Sequence, residues 1–175
     1  KLHIGDAREV LLTTDEKYDI IFSEPSNPYR AGIASMFTKE FYEAATQRLN
    51  PGGIFCQWVQ AYDIDGEALR TVFATLGSVF TSVDTWCTQS KDLLLIATHD
   101  PVTVDIALLR QRFSEGAWRQ ALFNAWRVDS AEGFLSHFIA NDSLTRSVVA
   151  AGEMIATDDR NDLEYGFARE VARRK

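Results

Sequence analysis

The sequence predicts an α/β fold built on an open, mostly parallel β-sheet. Short apolar runs alternate with helical patterns of ten or more residues, which is the order expected of βα units. The run at residues 20–22 is continuously apolar, as expected for a parallel strand that is covered on both faces. The 175 residues are 46% hydrophobic, enough for one sizeable core. We therefore expect one α/β domain with an appendage.

The predicted elements follow one another in βα order. Strands are predicted at residues 1–4, 18–22, 54–59, 79–86 and 93–98, and helices at residues 7–12, 38–49 and 67–80. Thr38 is a suitable N-cap, and the turn Asn50-Pro51-Gly52-Gly53 is a strong helix stop. Because the last two strands are close in sequence, we expect them to pair as an antiparallel hairpin at the edge of the sheet.

Residues beyond Pro101 predict a different, helical organisation. An amphipathic helix is predicted around residues 104–109. Asp129 and Glu132 form a capping box before a further predicted helix at residues 134–139. The predicted division is an α/β part at residues 1–100, a helical extension at residues 101–155 and an extended tail at residues 156–175.

Composition narrows the range of functions. The formal net charge is −7, which disfavours a nucleic acid substrate and is compatible with a cationic one such as a polyamine. Cys56 and Cys87 lie in no paired motif and are interpreted as reduced thiols, and the three histidines lack metal-ligand spacing, so no metal is expected. No apolar run approaches the ~18 residues that span a bilayer. We expect a cytoplasmic location, or the cytoplasmic face for a membrane-linked protein.

Two carboxylates follow predicted strands, at the end of the sheet where open parallel sheets bind ligands. Asp6 follows the first strand and Glu24 follows the second. Either side chain could accept hydrogen bonds from an adenine amino group or from a cationic amine. The alternatives are that Asp6 is only the N-cap of the next helix and that Glu24 is a solvated loop acid.

Four motifs together resemble the second half of a Rossmann-like, class I methyltransferase fold. They are Gly5-Asp6-Ala7-Arg8, Tyr18-Asp19-Ile20-Ile21, the loop after that strand, and Leu49-Asn50-Pro51-Gly52-Gly53. Within that superfamily the chain resembles spermidine synthases and their fused or membrane-linked relatives. The narrower resemblance rests on residues 23–28, Ser35-Met36-Phe37-Thr38, Ile54-Phe55-Cys56-Gln57-Trp58 and the tail at residues 157–165.

The resemblance implies an aminopropyltransferase, which moves an aminopropyl group from decarboxylated S-adenosylmethionine to putrescine. It assigns Asp6, Ala7 and Ser23 to the nucleoside cofactor, Glu24 to catalysis, and Asn27, Tyr29 and Gln57 to the substrate. Glu24 stands where the family has an aspartate that helps to deprotonate the attacking amine. Asn27 stands where the family has a second aspartate, which holds the diamine. The resemblance is also consistent with a homodimer and with a membrane-linked upstream segment.

The departures from the family pattern leave alternatives open. Glu24 keeps the charge of the family's aspartate but moves it by one methylene, ~1.5 Å, and Asn27 removes a charge. A different amine acceptor or a non-catalytic relative fits these changes as well. Asn27-Pro28-Tyr29 also partly resembles the loop of amino-group methyltransferases that use S-adenosylmethionine. In the non-enzymatic interpretation, the aromatic residues of the helical extension form an interaction surface; these are Trp118, Phe123 and Trp126.

A glycine-rich G-x-G-x-x-G turn is absent from the 175 residues. The resemblance therefore implies that the first two strands of the fold lie upstream of Lys1 and belong, in space, between the first and second strands predicted here. Residues 18–22 are then expected to form an exposed sheet edge. We expect this polypeptide alone to be inactive and to bind S-adenosylmethionine weakly or not at all. A further hypothesis is that residues 158–160 fold back toward Glu24.

Overall fold

The computed structural model describes residues 2, 4–25, 28–30, 32–61, 64–88 and 92–165. In these ranges five strands form one sheet: β1 Tyr18–Ser23, β2 Leu49–Val59, β3 Ser82–Cys87, β4 Leu93–Thr98 and β5 Phe138–Ala140. The helices are α1 Ala7–Thr13, α2 Lys39–Gln47, α3 Gly66–Gly77, α4 Ile106–Ser114, α5 Gly116–Trp126, α6 Ala131–Leu135 and α7 Asp142–Ala150, with short 3-10 helices at Ala34–Phe37 and Asp162–Tyr165.

The sheet has the strand order β1-β2-β4-β3-β5. β1 and β2 run parallel, and the other three neighbouring pairs are antiparallel. The α/β class is confirmed, but the described sheet is mixed rather than mostly parallel, because among the described strands only β1 and β2 pair in parallel. β1 forms one edge of this sheet, as predicted for residues 18–22, and two of its apolar side chains are exposed: Ile20 is 64% and Phe22 is 52% exposed.

The main core lies between β2 and the two helices α2 and α3. Thr38 and Asp65 cap these helices through side-chain oxygens that accept hydrogen bonds from Phe41 and Ala68. The buried aromatic residues meet across this layer, and Phe55 stacks on Phe80 with ring centroids 5.6 Å apart. The caps and the aromatic contacts fix α2 and α3 against the strand that carries Gln57.

A second, smaller core holds the helical extension. It is built on Phe113, Val128 and Ala131, and Trp126 packs against it. The other two aromatic residues of the predicted set are different, since Trp118 is 52% exposed and Phe123 is 44% exposed. Trp126 is thus a core residue, whereas Trp118 and Phe123 have the exposure that an interaction surface would need.

The strand predicted at residues 1–4 is not formed at the positions that are described there. Leu2 and Ile4 lie outside the strands and are 86% and 96% exposed, whereas Lys1 and His3 lie outside the described residues. A strand is stabilised by a hydrogen-bonded neighbour. Among the described strands, none pairs with this segment.

The prediction for residues 134–139 is wrong because the helix ends early. Ser130, not Asp129, is the N-cap of α6: its extended backbone lets Oγ accept a hydrogen bond from the Gly133 amide. Residues 138–140 form β5 instead, which pairs with β3. The antiparallel hairpin of β3 and β4 is confirmed, but it does not lie at the edge of the described sheet, because β5 lies outside β3.

The turn at residues 50–53 lies within β2 rather than before it. Leu49 pairs with Tyr18 and Ile54 pairs with Ile20, so the extra residues form a bulge between two paired positions. Gly52 adopts a φ of +74°, a conformation that glycine takes without a steric penalty. The tail also departs from the extended prediction, since Asp162–Tyr165 forms a 3-10 helix.

Candidate functional site

The carboxyl ends of β1 and β2 bring two of the predicted site residues together. Ser23, the last residue of β1, is the parallel register partner of Gln57 on β2. The Gln57 side chain is fully buried, and its Nε2 donates hydrogen bonds to the Trp58 carbonyl at 3.0 Å and, at 3.5 Å, to the Ser23 carbonyl. The two bonds fix the amide group, so Gln57 is held at the end of the sheet that binds ligands in open α/β folds.

Two buried polar atoms at this place have no hydrogen-bond partner among the described residues. They are Oε1 of Gln57 and Oγ of Ser23. A buried acceptor or hydroxyl without a partner costs about 1–3 kcal/mol. Such atoms also occur elsewhere among the described residues, at Tyr42 and Thr85 for example, so this pair is distinguished by its place at the ends of the parallel strands. Both atoms are enclosed by the described residues, and they mark a polar position at the strand ends, where Ser23 also lines a surface groove.

The loop after β1 carries the remaining predicted substrate residues. Glu24 is exposed directly after Ser23, Pro25 and Pro28 are buried on either side of the loop, and Tyr29 is partly buried. Asn27 lies outside the described residues. The buried prolines anchor the loop next to the strand end, and Glu24 is left in contact with solvent.

An apolar groove of about 310 Å³ runs along the open edge of β1. It is lined by β1, by the start of α1 and by Met36 and Phe41. Ala7 and Ser23, which the sequence assigned to the nucleoside cofactor, line this same groove, whereas Glu24 does not. The volume lies at the lower end of the range for small-molecule sites.

Asp6 is the N-cap of α1, as the alternative interpretation held. Its Oδ1 accepts hydrogen bonds from the amides of Arg8 at 2.8 Å and Glu9 at 3.2 Å. The capping role fixes the position of the carboxylate between Gly5 and Ala7, two residues of the groove. A cap and a ligand contact are compatible, because the two bonds use one of the two carboxylate oxygens.

The tail contacts the start of α1, which the sequence did not predict. Arg8 donates hydrogen bonds to both carboxylate oxygens of Asp158, and its Nη1 reaches the first of them at 2.9 Å. This ion pair raises the pKa of Arg8, and the hydrogen bond from Arg8 lowers the pKa of Asp158. In the sequence both partners lie in motifs that contain acidic and basic residues, Gly5-Asp6-Ala7-Arg8 and Thr157-Asp158-Asp159-Arg160, so charge alone does not pair them. Asp158 thus contacts the first turn of α1, and the hypothesis that residues 158–160 fold back toward Glu24 stays a prediction.

Other reactive groups in the described part of the chain do not add to this site. Cys56 and Cys87 are free thiols, and burial raises the pKa of Cys56 to about 12, so that its reactive thiolate form is scarce at neutral pH. The described residues contain no group of three or more metal-ligand side chains. They also contain no helix with the length and apolar character needed to cross a membrane.

The family of the chain follows from its match to a protein-family model. Residues 1–116 match the model of the spermine/spermidine synthase domain. The chain belongs to this family. The match includes every predicted site residue, from Asp6 to Gln57.

Relatives with known activity support the same family. Over 109 residues the chain is 31% identical to a spermine synthase of Arabidopsis thaliana, covering 58% of this chain and 30% of that protein. Over 132 residues it is 28% identical to polyamine aminopropyltransferase 1 of Pseudomonas aeruginosa, covering 71% of this chain and 46% of that protein. The chain thus spans less than half the length of these two relatives.

Solved structures agree on the fold. A probable spermidine synthase from Corynebacterium glutamicum superimposes with a TM-score of 0.58 at 17% identity, covering 90% of this chain and 54% of the other. Human methyltransferase-like protein 13, in complex with SAH, gives a TM-score of 0.52 at 19% identity, with 73% and 60% coverage. The Rossmann-like methyltransferase fold that the sequence resembled is therefore confirmed.

Proposed function

We propose that the protein carrying this chain transfers an aminopropyl group from decarboxylated S-adenosylmethionine to an amine acceptor of the polyamine class. The lone pair of the amine attacks the carbon next to the sulfonium sulfur. The new N–C bond forms as the C–S bond breaks, and sulfur keeps that electron pair and leaves as methylthioadenosine. The proton of the amine passes to the carboxylate of Glu24.

Each group in the proposal has a physical task. A protonated amine has no lone pair, so a carboxylate must orient it and accept its proton. The amide oxygen of Gln57 accepts a hydrogen bond from the amine and holds the nitrogen in line with the carbon it attacks. Asp6 faces the amino edge of the adenine, and Ala7 provides an apolar surface for the ring.

The observation that carries the proposal is the pair of unpartnered buried atoms on Ser23 and Gln57. They lie at the ends of the parallel strands, directly before Glu24. Family membership supports the reaction class, and these two atoms support a polar ligand at this place. The acidic net charge of −7 further favours a cationic acceptor.

The test is a product assay on the full-length protein. Incubated with decarboxylated S-adenosylmethionine and putrescine or a longer polyamine, it should release methylthioadenosine and form the amine lengthened by one aminopropyl group. Release of S-adenosylhomocysteine from S-adenosylmethionine instead would identify a methyltransferase. The absence of both products with active-site residues intact would favour the non-catalytic interpretation.

A substitution of Glu24 tests the assigned base. Glu24→Gln removes the proton acceptor but keeps the size of the side chain, and we expect kcat to fall by ~10²–10⁴-fold because general base catalysis is lost. Glu43→Gln, the same change at an exposed acid on α2, is the control and should leave kcat unchanged. Equal activities of the two variants would remove Glu24 from the mechanism.

A further inference from the structure

Residues 156–163, here called the strap, cross from the helical extension back onto the α/β core. Ala156 is buried: its amide donates to Thr75 Oγ1 at 3.0 Å, and its carbonyl accepts from the Lys39 amide at 2.9 Å. At the other end, Leu163 is 1% exposed within the main core. The strap is thus fixed at both ends.

Between those two anchors the strap presents Asp158 to α1. The Asp158 amide donates to Glu40 Oε2 at 3.0 Å, and its carboxylate receives both hydrogen bonds from Arg8. Arg8 also donates to the Ser35 carbonyl at 3.1 Å, and its side chain is only 20% exposed. A guanidinium held bidentately by a carboxylate has a defined direction as well as a favourable charge contact.

Arg8 belongs to the first turn of α1, directly after two residues of the candidate nucleoside site. Its amide donates to Asp6 Oδ1, and Ala7 lines the groove along β1. α1 has seven residues and one buried side chain, Leu11, so its own packing holds it weakly. The contact with the strap therefore supplies a restraint on this turn that α1 itself lacks.

We infer that Asp158 is a positioning residue: through Arg8 it holds the first turn of α1, and with it Asp6 and Ala7, in the geometry that binds the nucleoside. The inference deepens the proposed function and rests on it for the identity of the ligand. Asp158 itself does not touch the ligand. Its effect is on the preorganisation of the site, which raises affinity by reducing the ordering that binding requires.

The test compares Asp158→Asn with Asp159→Asn in the full-length protein. Both variants remove one negative charge from adjacent strap residues, but only Asp158 pairs with Arg8. For Asp158→Asn we expect amide hydrogen exchange at Arg8, Glu9 and Val10 to accelerate at least ~10-fold, as expected for local opening, with no change in α3. Affinity for methylthioadenosine should fall ~5–10-fold, and Asp159→Asn should change neither quantity.

The conservative variant Asp158→Glu should recover part of the affinity, because it restores the charge. An unchanged exchange rate at the first turn of α1, or an equal acceleration throughout the chain, would overturn the positioning role. Unaltered methylthioadenosine affinity in Asp158→Asn would also overturn it. If the wild-type protein does not bind methylthioadenosine, the proposed function fails; the exchange measurement then still decides whether Asp158 holds Asp6.

Discussion

Among the single residues, Gln57 combines complete burial with an amide oxygen that lacks a partner in the described part of the chain. The free energy of folding favours a side chain in which every buried polar atom is satisfied. Natural proteins tolerate such a cost where function requires it. Gln57 is therefore a position where stability and activity should respond differently to the same substitution.

We expect Gln57→Met to change the free energy of unfolding by less than about 1 kcal/mol, because it loses the hydrogen bonds of Nε2 but also removes the unpartnered oxygen. Activity should fall at least ~10-fold, the equivalent of about 1.4 kcal/mol. Urea unfolding and steady-state kinetics measure the two quantities.

The control for this change is Thr85→Val. Thr85 is 1% exposed on β3, and its hydroxyl also lacks a partner among the described residues. The substitution should leave activity unchanged. A Gln57→Met variant as active as Thr85→Val would show that the Gln57 amide does not contact substrate.

At the scale of elements, α3 and α7 approach so closely that only glycine fits at one contact. A Cβ added at Gly77 would lie 2.6 Å from Thr145 Cγ2 and 2.8 Å from Val149 Cγ2. Both distances are shorter than carbon atoms adopt without moving. The packing of α7 on the main core therefore depends on this position.

Gly77→Ala should destabilise the protein by about 1–2 kcal/mol, because the strain of an overpacked contact exceeds the gain in helix propensity. Gly66→Ala in the same helix is the control, since the nearest atom is Nη1, at the end of the long Arg70 side chain, at 3.4 Å. It should be neutral or stabilising. Thermal unfolding of the two variants measures the difference. Equal unfolding temperatures for Gly77→Ala and Gly66→Ala would contradict the close packing of α3 and α7.

The strap gives the protein a pH-dependent element. The hydrogen bond from Arg8 holds the pKa of Asp158 below its ordinary value of 3.8. The ionised carboxylate is thus favoured in the folded state, and its contribution is present above that value and lost as the pH falls through the lower, folded pKa. The pair is partly exposed, so we expect it to contribute only about 0.5–1 kcal/mol.

The difference in unfolding free energy between the wild-type protein and Asp158→Asn should therefore be present at about pH 7 and shrink below about pH 4. Urea unfolding at several pH values measures it. A difference that stays constant down to about pH 2 would mean that Asp158 stabilises the strap through its shape and not through its charge.

The sequence predicted elements best where one local pattern was sufficient. Thr38 and its helix and the hairpin of β3 and β4 depended on near neighbours, whereas the edge position of β1 followed from the family resemblance and the absent glycine-rich turn. β5 was missed because its three residues continue an apolar helical pattern, and only pairing with β3 makes them a strand. Pairing between distant segments leaves no periodic signal along the chain.

In the candidate site, too, the sequence predicted what a local motif marks and missed what depends on contact between distant segments. Ser23 and Gln57 were predicted from motifs, and their register brings them together. The partner of Arg8 could not be predicted, because the two residues are 150 positions apart and each has several possible partners. For Asp6, a cap and a ligand contact require the same residue type at the same position, so the sequence left both open.

At the scale of the whole molecule, the edge of β1 is the most exposed apolar feature of the described sheet. Unpaired backbone groups lie there beside Ile20 and Phe22, a combination that favours pairing with another strand. We therefore expect the 175-residue chain to self-associate through this edge.

Ile20→Lys should shift the 175-residue chain toward the monomer, because a lysine on an edge strand opposes strand pairing. Ile155→Lys, the same substitution at a less exposed isoleucine outside the sheet, is the control. Sedimentation at several concentrations measures the effect. If both variants associate as the wild type does, the contact lies elsewhere.

The long separation between Arg8 and Asp158 also has a consequence for biosynthesis. A ribosome adds about 5–20 residues per second, so the 150 positions between them correspond to a delay of roughly 8–30 s. During that interval the strands of the sheet are being made, while Arg8 still lacks its partner Asp158. We therefore expect the first turn of α1 to reach its final geometry only after residue 158 has emerged.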